Sequence, residues 1–278
     1  MNRFQKFLFA VSLLPWLSGC GLADMAYNNA PGFVADELED AFDLSEAQSD
    51  QLDSRLEQFF IWHRDEELNR YREFLERAAL DAADGITAAE FLSLRDDIGE
   101  AWNRSVEKGI DSLGDIFANL TPEQIEQYQQ YHREGSKEYE EYLEKTAQQR
   151  EIYRVERAYE TLETWFGEFD FMLEERVSER LRQVPGIYQP WFSYREQRHR
   201  ALVNAMKQGL TRQRLKTIML DPSTDFARAF APARDAYWRE YAAAIEDISS
   251  WLSKQQRQRA ISRLQRFARL VERLHDQG

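Results

Sequence analysis

Four short motifs that begin α-helices do most to restrict the folds open to this chain. Each has an apolar residue, then a serine or threonine, then a glutamine or glutamate three positions later: Leu44-Ser45…Gln48, Ile86-Thr87…Glu90, Leu120-Thr121…Gln124 and Leu252-Ser253…Gln256. In this capping-box arrangement the hydroxyl accepts from the third helical amide, and the third side chain accepts from the amide of the cap. The motifs therefore predict helices that begin at residues 46, 88, 122 and 254.

The segments between these motifs are long and poor in residues that break helices. The 278 residues include only 7 prolines and 12 glycines, and 31% of them are charged, a balance typical of helical proteins. In the first segment Leu52, Leu56, Phe59 and Phe60 follow one another at helical spacing, and no stretch alternates apolar and polar residues as a strand does. We predict an all-α protein without a sheet, an elongated bundle of antiparallel hairpins with about seven to eight helices.

Breakers predict where several helices end. Asp84-Gly85 is expected to end the helix that begins at residue 46, and Asp221-Pro222 to end one that contains residues 191–219. Asp170 is a further candidate cap, which would divide the long segment that follows Pro122. The last helix is expected to run from Lys254 to about His275.

The first 19 residues have the layout of a secretory signal peptide. Arg3 and Lys6 precede an apolar run of 11 positions, residues 7–17, and the small residues Ser18 and Gly19 close it. A run of this length is well short of the roughly 20 apolar residues that span a bilayer. Residues 1–19 are therefore predicted to be removed as a signal peptide rather than kept as a membrane span.

The end of this run, Leu17-Ser18-Gly19-Cys20, resembles the lipobox of bacterial lipoproteins. The resemblance implies a diacylglyceryl group on Cys20, cleavage after Gly19 and acylation of the new amino terminus. More than one acyl chain is what stable anchoring needs. The next residue is Gly21 rather than aspartate, which implies the periplasmic face of the outer membrane, with the inner membrane as the alternative. An ordinary signal peptide with a chance cysteine is the other reading of the motif.

Three regions follow from this reading. Residues 1–19 are the signal peptide, residues 20–30 are the lipidated amino terminus with a short tether, and residues 31–278 are an all-helical periplasmic domain. The nine residues from Gly21 to Asn29 are polar and small, and they would reach at most about 30 Å if extended. Cys20 is the only cysteine, so thiol catalysis and an intramolecular disulfide are excluded once it is modified.

Charge is unevenly distributed along the chain. Residues 191–278 contain 17 lysines and arginines against 9 acidic residues, a net charge of +8, so the other residues carry −21 of the total of −13. Two complementary helical faces or simple solvation would explain this, and the alternative is a basic surface for a phosphate-bearing lipid or an acidic partner. We expect no nucleic acid partner, because the whole chain is strongly acidic.

Several short motifs resemble a family of uncharacterised, helical bacterial lipoproteins. They are Tyr27-Asn28-Asn29-Ala30, Asp43-Leu44-Ser45 with Gln48, and Trp62-His63-Arg64 with Glu67-Leu68 and Tyr71. The resemblance covers residues 17–80 and implies a location and an architecture but no reaction. A looser similarity, in Leu120-Thr121-x-x-Gln124, is to periplasmic chaperones of the Spy and CpxP type. It implies surfaces that hold unfolded clients.

Two Glu-x-x-His patterns are the nearest approach to a metal motif: Glu196…His199 and Glu272…His275. Two such patterns with further carboxylates form the di-metal site of ferritin-like bundles. His275 is only the fourth residue from the end of the sequence, and the spacing is common by chance in an acidic helical chain. We therefore expect no metal, no cofactor and no catalytic residue.

His63 and Glu67 form the candidate buried polar pair. They lie one helical turn apart on the apolar face of the first long helix. A structural role, in which Glu67 or a facing helix holds His63 in the core, is one reading. A ligand-contact or pH-sensing site is the other, since histidine titrates near neutral pH.

These observations lead to one functional hypothesis and two alternatives. The chain is expected to be a non-enzymatic binding or scaffold lipoprotein of the cell envelope, with the membrane as one partner and a protein or envelope component as another. A Spy- or CpxP-like chaperone is the first alternative. A metal-dependent helical-bundle enzyme is the second.

Overall fold

A computed structural model describes the backbone of residues 20–277 and the side chains of residues 24–277. The helices are α1 (Cys20–Asn28), α2 (Ala30–Phe42), α3 (Glu46–Trp62), a π-helical segment (His63–Glu67), α4 (Leu68–Asp81), α5 (Ala88–Ala118), α6 (Pro122–Glu144), α7 (Ala147–Phe166), α8 (Phe171–Arg182), α9 (Tyr188–Lys207), α10 (Arg212–Leu220), α11 (Asp225–Trp251) and α12 (Lys254–Asp276). No strand occurs among the described residues, and the all-α class is confirmed. The predicted signal peptide and the lipobox residues before Cys20 lie outside the described residues.

The four predicted capping boxes are all present, at the starts of α3, α5, α6 and α12. At α6 the amide of Gln124 donates to the Thr121 hydroxyl at 3.3 Å, and the amide of Thr121 donates to the Gln124 side chain at 3.0 Å. Asp170 caps α8 in the same way, by accepting from the amide of Leu173 at 2.9 Å. The last helix begins and ends within one residue of its predicted limits.

The chain divides into more helices than the seven or eight expected. Thr146 forms a fifth capping box with Gln149, which separates α6 from α7. A turn at Gly209, with φ of +89°, and a cap at Thr211 divide the helix expected to run through residues 191–219. Neither break is marked by proline, so the continuous apolar spacing suggested longer helices than form.

The first long helix is interrupted where an unbroken helix was expected. Residues His63–Glu67 form a π-helical turn, in which the amide of Leu68 donates to the carbonyl of His63 five residues earlier. Such turns insert one residue into a helix and often occur at functional sites. The helix then continues as α4 and ends at Asp81, three residues before the predicted stop at Asp84.

Helix α5 is central to the bundle and packs against α3, α4, α10 and α11. Its contact with α4 is antiparallel, because Glu67, just before α4, contacts Arg104, whereas Arg77, ten residues later, contacts Asp97, seven residues earlier in α5. The predicted antiparallel arrangement of neighbouring helices is confirmed for this pair.

Helix α12 packs along α4. Asn69 and His275 lie 2.8 Å apart at one end, and at the other end Leu264 packs on three alanines of the α4 region, Ala78, Ala79 and Ala82. Small side chains let the two helix backbones approach closely. Further along, α12 also packs on α7, where Arg263 donates to the carbonyl of Thr164.

The segment expected to be a tether is helical. Residues Cys20–Asn28 form α1, and Tyr27 near its end packs with Leu68, Leu270 and Leu274 of the bundle. A nine-residue helix spans roughly 14 Å, about half the length of the extended tether. Within residues 20–277, no helix combines the length and the apolar character that crossing a bilayer requires.

Candidate functional site

His63 is held by two tyrosines from different parts of the chain. Its Nδ1 lies 2.9 Å from the Tyr27 hydroxyl of α1, and its Nε2 lies 3.1 Å from the Tyr71 hydroxyl of α4. A neutral imidazole has one N–H, so one tyrosine accepts a hydrogen bond from the ring and the other donates one to it. Burial lowers the pKa of His63 to about 4, against a smaller opposing effect of the Glu67 carboxylate. The ring is therefore neutral at pH 7.

Glu67 is fully buried and is bound by an arginine from α5. Arg104 Nε donates to one carboxylate oxygen at 2.8 Å, and Nη2 donates to the other at 2.9 Å. This two-pronged contact is the strongest geometry for a guanidinium and a carboxylate, and it raises the pKa of Arg104. The predicted polar pair is thus buried in one region, but its two members bind different partners instead of each other.

The site made by Tyr27, His63, Glu67, Tyr71 and Arg104, which we call the His63 site, joins the N-terminal helix to the bundle. The Tyr27 ring also packs edge-on against Phe60, with centroids 6.2 Å apart. Arg64 lies 5.5 Å from the Tyr27 ring, and its Nη2 donates to Asn28 Oδ1 at 2.8 Å. Burial raises the pKa of Tyr27, so its hydroxyl stays protonated.

A second polar cluster lies between α6 and α9, with His132 and Ser136 buried and Glu196 and His199 half-buried. The rings of His132 and His199 stack with centroids 3.5 Å apart and an angle of 11° between their planes. Glu196 Oε1 lies 3.4 Å from His132 Nε2, and Ser136 is close to the same carboxylate. Burial is the main cause that lowers the pKa of His132 to about 3 and that of His199 to about 4, with a further contribution from Arg195 to each.

The two Glu-x-x-His motifs are not brought together. Glu196 and His199 lie in α9, whereas Glu272 contacts Arg72 at 3.7 Å and His275 contacts Asn69. Among residues 24–277, no group of three or more histidine, cysteine or acidic side chains is placed to hold a metal ion. The ferritin-like arrangement that the motifs suggested does not form from these residues.

Sequence reasoning found His63 and Glu67 but missed the residues that bind them. Tyr27 and Arg104 lie 36 and 37 residues away along the chain, and no local spacing connects them. The stacked histidines are 67 residues apart, and of the two only His199 belongs to a motif named above. Cys20, the predicted lipid attachment residue, begins α1, but its side chain lies outside the described part.

The fold and the site define a class: an all-α protein whose N-terminal helix is attached to a multi-helix bundle by the buried hydrogen bonds of the His63 site. The chain belongs to a family of unknown function, DUF6279, which matches residues 40–230. The expected membership of an uncharacterised family is thereby confirmed. No curated protein and no solved structure matches the chain. The match begins after Tyr27, so the lipobox and the N-terminal motifs remain predictions.

Proposed function

We propose that this chain is a lipid-anchored protein of the cell envelope that acts by binding, without catalysis, and that its helical body is held at the outer-membrane surface on the periplasmic side. The proposal rests on the lipobox-like sequence and on the geometry of the chain that follows it. Its partner would be a protein or another envelope component within reach of that surface.

The docking of α1 is the observation that carries this proposal. Tyr27 lies only seven positions after Cys20, and its hydroxyl bonds to His63 while its ring packs among leucines of α4 and α12. An anchor at Cys20 would therefore hold the bundle close to the membrane in a restricted orientation. The exposed apolar side chains of Met25 and Phe33, 60% and 51% accessible, lie near the same end. They would lie next to the lipid surface.

Replacing the predicted acylated residue tests the anchor. In Cys20→Ser, the thiol that would accept the diacylglyceryl group is absent, so we expect loss of lipid labelling and release from the membrane fraction. Ser18→Ala is the matched control because it keeps a small residue in the motif and leaves the thiol. Unchanged processing and unchanged membrane fractionation of Cys20→Ser would contradict the proposal.

Loosening α1 tests the restricted orientation separately. Tyr27→Ala removes the hydroxyl bonded to His63 and the ring packed on the bundle, while Cys20 is unchanged. We expect this variant to stay in the membrane fraction but to become cleavable by protease between residues 20 and 30. Crosslinking in intact envelopes should then recover fewer partner proteins than the wild type does. Tyr153→Phe, at a partly exposed position in α7, is the control.

A chaperone-like activity is a second candidate, favoured by apolar side chains that the described bundle leaves exposed. Phe171 and Met172 begin α8 and are 76% and 71% accessible, and Leu80 is 76% accessible. Such side chains could contact an unfolded client. The test is aggregation of a denatured client protein, which Phe171→Ser/Met172→Ser should suppress less well than the wild type. No suppression by equimolar wild type would remove this candidate.

A further inference from the structure

A groove lined with cations lies between the end of α7 and the start of α12. We call it the cationic groove, and its charged lining consists of Lys254, Arg259, Arg263 and Arg266 with a single acid, Glu163. Its volume is about 810 Å³, and it is open to solvent. Clefts of about 300–1,000 Å³ are the usual size of small-molecule sites.

The positive charge of the cationic groove is not neutralised by nearby acids. None of its four cations forms a salt bridge with any other residue of the described range. Glu163 interacts with Tyr159 instead. Burial is the main cause that raises the pKa of Tyr159, and the charge of Glu163 and a hydrogen bond with Glu163 raise that pKa further. Some arginines elsewhere on the bundle surface, such as Arg182 and Arg228, are paired with acids of their own helix. The groove therefore presents uncompensated cations.

Arg263 is held in place and retains a donor without a partner. Its Nη1 donates to the carbonyl of Thr164 at 2.6 Å, and its guanidinium lies 5.2 Å from the Trp165 ring. Its Nε is buried and has no hydrogen-bond partner. A buried donor costs free energy unless a hydrogen-bond acceptor reaches it. Loss of solvent and the nearby Arg266 lower the pKa of Arg263.

Gly167 makes room for a second arginine of the groove. Its φ is +84°, and a Cβ at this position would lie 1.7 Å from Arg259 Nη1. Any larger residue would have to displace the guanidinium. The turn after α7 thus both ends the helix and admits Arg259 to the groove wall.

From this arrangement we infer that the cationic groove binds phosphoryl groups, in a ligand that carries two or more negative charges. Four cations against one acid match such a ligand better than they match a ligand with a single carboxylate. Arginine presents a planar fork of donors that fits phosphate oxygens. The chemistry has two possible sources, a soluble phosphorylated compound and the headgroups of an anionic phospholipid. The inference does not depend on the lipid anchor.

Two binding measurements on the Cys20→Ser protein test the inference and separate the sources. The first is calorimetric titration with pyrophosphate at constant ionic strength. The second is co-sedimentation with phosphatidylglycerol vesicles, with phosphatidylcholine vesicles as the reference. The test variant is Arg259→Gln/Arg266→Gln, which changes two exposed groove residues. The control is Arg269→Gln/Arg273→Gln, which removes the same charge from the same helix outside the groove.

We expect the groove variant to lose at least about tenfold in affinity, because charge-assisted hydrogen bonds are removed, while the control variant keeps wild-type affinity. A loss seen with pyrophosphate supports the inference with a soluble ligand. A loss seen only with phosphatidylglycerol vesicles supports it with a lipid headgroup. If neither probe binds the wild type, or if both variants lose affinity equally, the inference is wrong.

Discussion

At the scale of single residues, the contact between Glu67 and Arg104 makes a testable contribution to the buried core. Glu67 is fully buried, and Arg104 donates to both of its carboxylate oxygens. Removing one partner of a buried pair costs about 3–5 kcal/mol, because the other charge stays buried without compensation. Arg70, 3.6 Å away, can compensate in part. We therefore expect Arg104→Met to lower the free energy of unfolding by about 3 kcal/mol.

Urea unfolding checks this value, with Arg77→Met as the matched control. Arg77 pairs with Asp97 across the same antiparallel contact between α4 and α5, but its side chain is 51% exposed. An exposed pair contributes about 0–1 kcal/mol, so the control should be close to the wild type. Equal effects of the two substitutions would mean that burial of Glu67 does not matter.

Gly167 is one of three glycines in the described part of the chain that have a positive φ, with Gly85 and Gly209. Its φ of +84° and ψ of −175° lie in a region that glycine alone adopts readily. We expect Gly167→Ala to lower the free energy of unfolding by about 1–3 kcal/mol. Gly186→Ala is the control, because a Cβ there meets no atom within 4 Å and the backbone is not in the left-handed region. Equal thermal unfolding of the two variants would contradict this assignment.

The limits of sequence reasoning at this scale are physical. His63 and Glu67 could be placed on a buried face because helical spacing reports which side of a helix is apolar. Their partners could not be found, since Arg104 meets Glu67 only through the register of two antiparallel helices. The π-helical turn left no sequence signal either, because the apolar stripe continues on both sides of it.

At the scale of helices, two capping boxes interlock. The Gln124 side chain caps α6 and also donates to Gln48 of the α3 box at 2.7 Å and to the carbonyl of Asp43 at 3.1 Å. Gln124 is 7% exposed, so these bonds are largely shielded from water. The motifs predicted each helix start separately, but only the tertiary fold, in which the starts of α3 and α6 meet, makes one cap support the other.

The interlocked caps predict that replacing Gln124 lowers the free energy of unfolding more than replacing the glutamine of an isolated cap. Gln124→Ala removes its own cap contact and leaves partners of the α3 cap unsatisfied, so we expect a loss of about 2 kcal/mol in the free energy of unfolding. Gln149→Ala removes the same cap position from the exposed box of α7, with an expected loss of about 0.5 kcal/mol. Chemical denaturation of both variants measures the difference. A Gln149 effect as large as that of Gln124 would argue against coupling of the two boxes.

The helix boundaries also show which helix starts and ends can be predicted from sequence patterns and which cannot. Caps that combine a hydroxyl with glutamine or glutamate were predicted at four starts, and Thr146-Gln149 is the same signal without an apolar residue before it. Lys145 stands where the four predicted starts have leucine or isoleucine, so the apolar residue that marked those starts is missing. The break at Gly209 lacks proline, and a single glycine within an apolar spacing does not by itself end a helix.

At the scale of the whole molecule, the buried histidines link stability to pH. Burial lowers the pKa of His63 to about 4, of His132 to about 3 and of His199 to about 4. In the unfolded chain each would titrate near 6.5. As the pH falls through 6.5 the unfolded state takes up protons that the folded state cannot, so the free energy of unfolding decreases. The stabilising contribution is complete above the unfolded value and is lost progressively down to about pH 4.

This linkage is testable between pH 7.5 and 5.5, where each of the three histidines should contribute a loss of about 1 kcal/mol. Glu196 opposes the trend at lower pH because burial raises its pKa, so the range stops at 5.5. His132→Gln/His199→Gln should retain roughly one third of the wild-type pH dependence, because His63 remains, and should match the wild-type slope between pH 7.5 and 9. Urea unfolding at four pH values measures both slopes. A double variant as pH-dependent as the wild type would mean that the stacked pair is protonated in the folded protein, and that Glu196 rather than burial governs its charge.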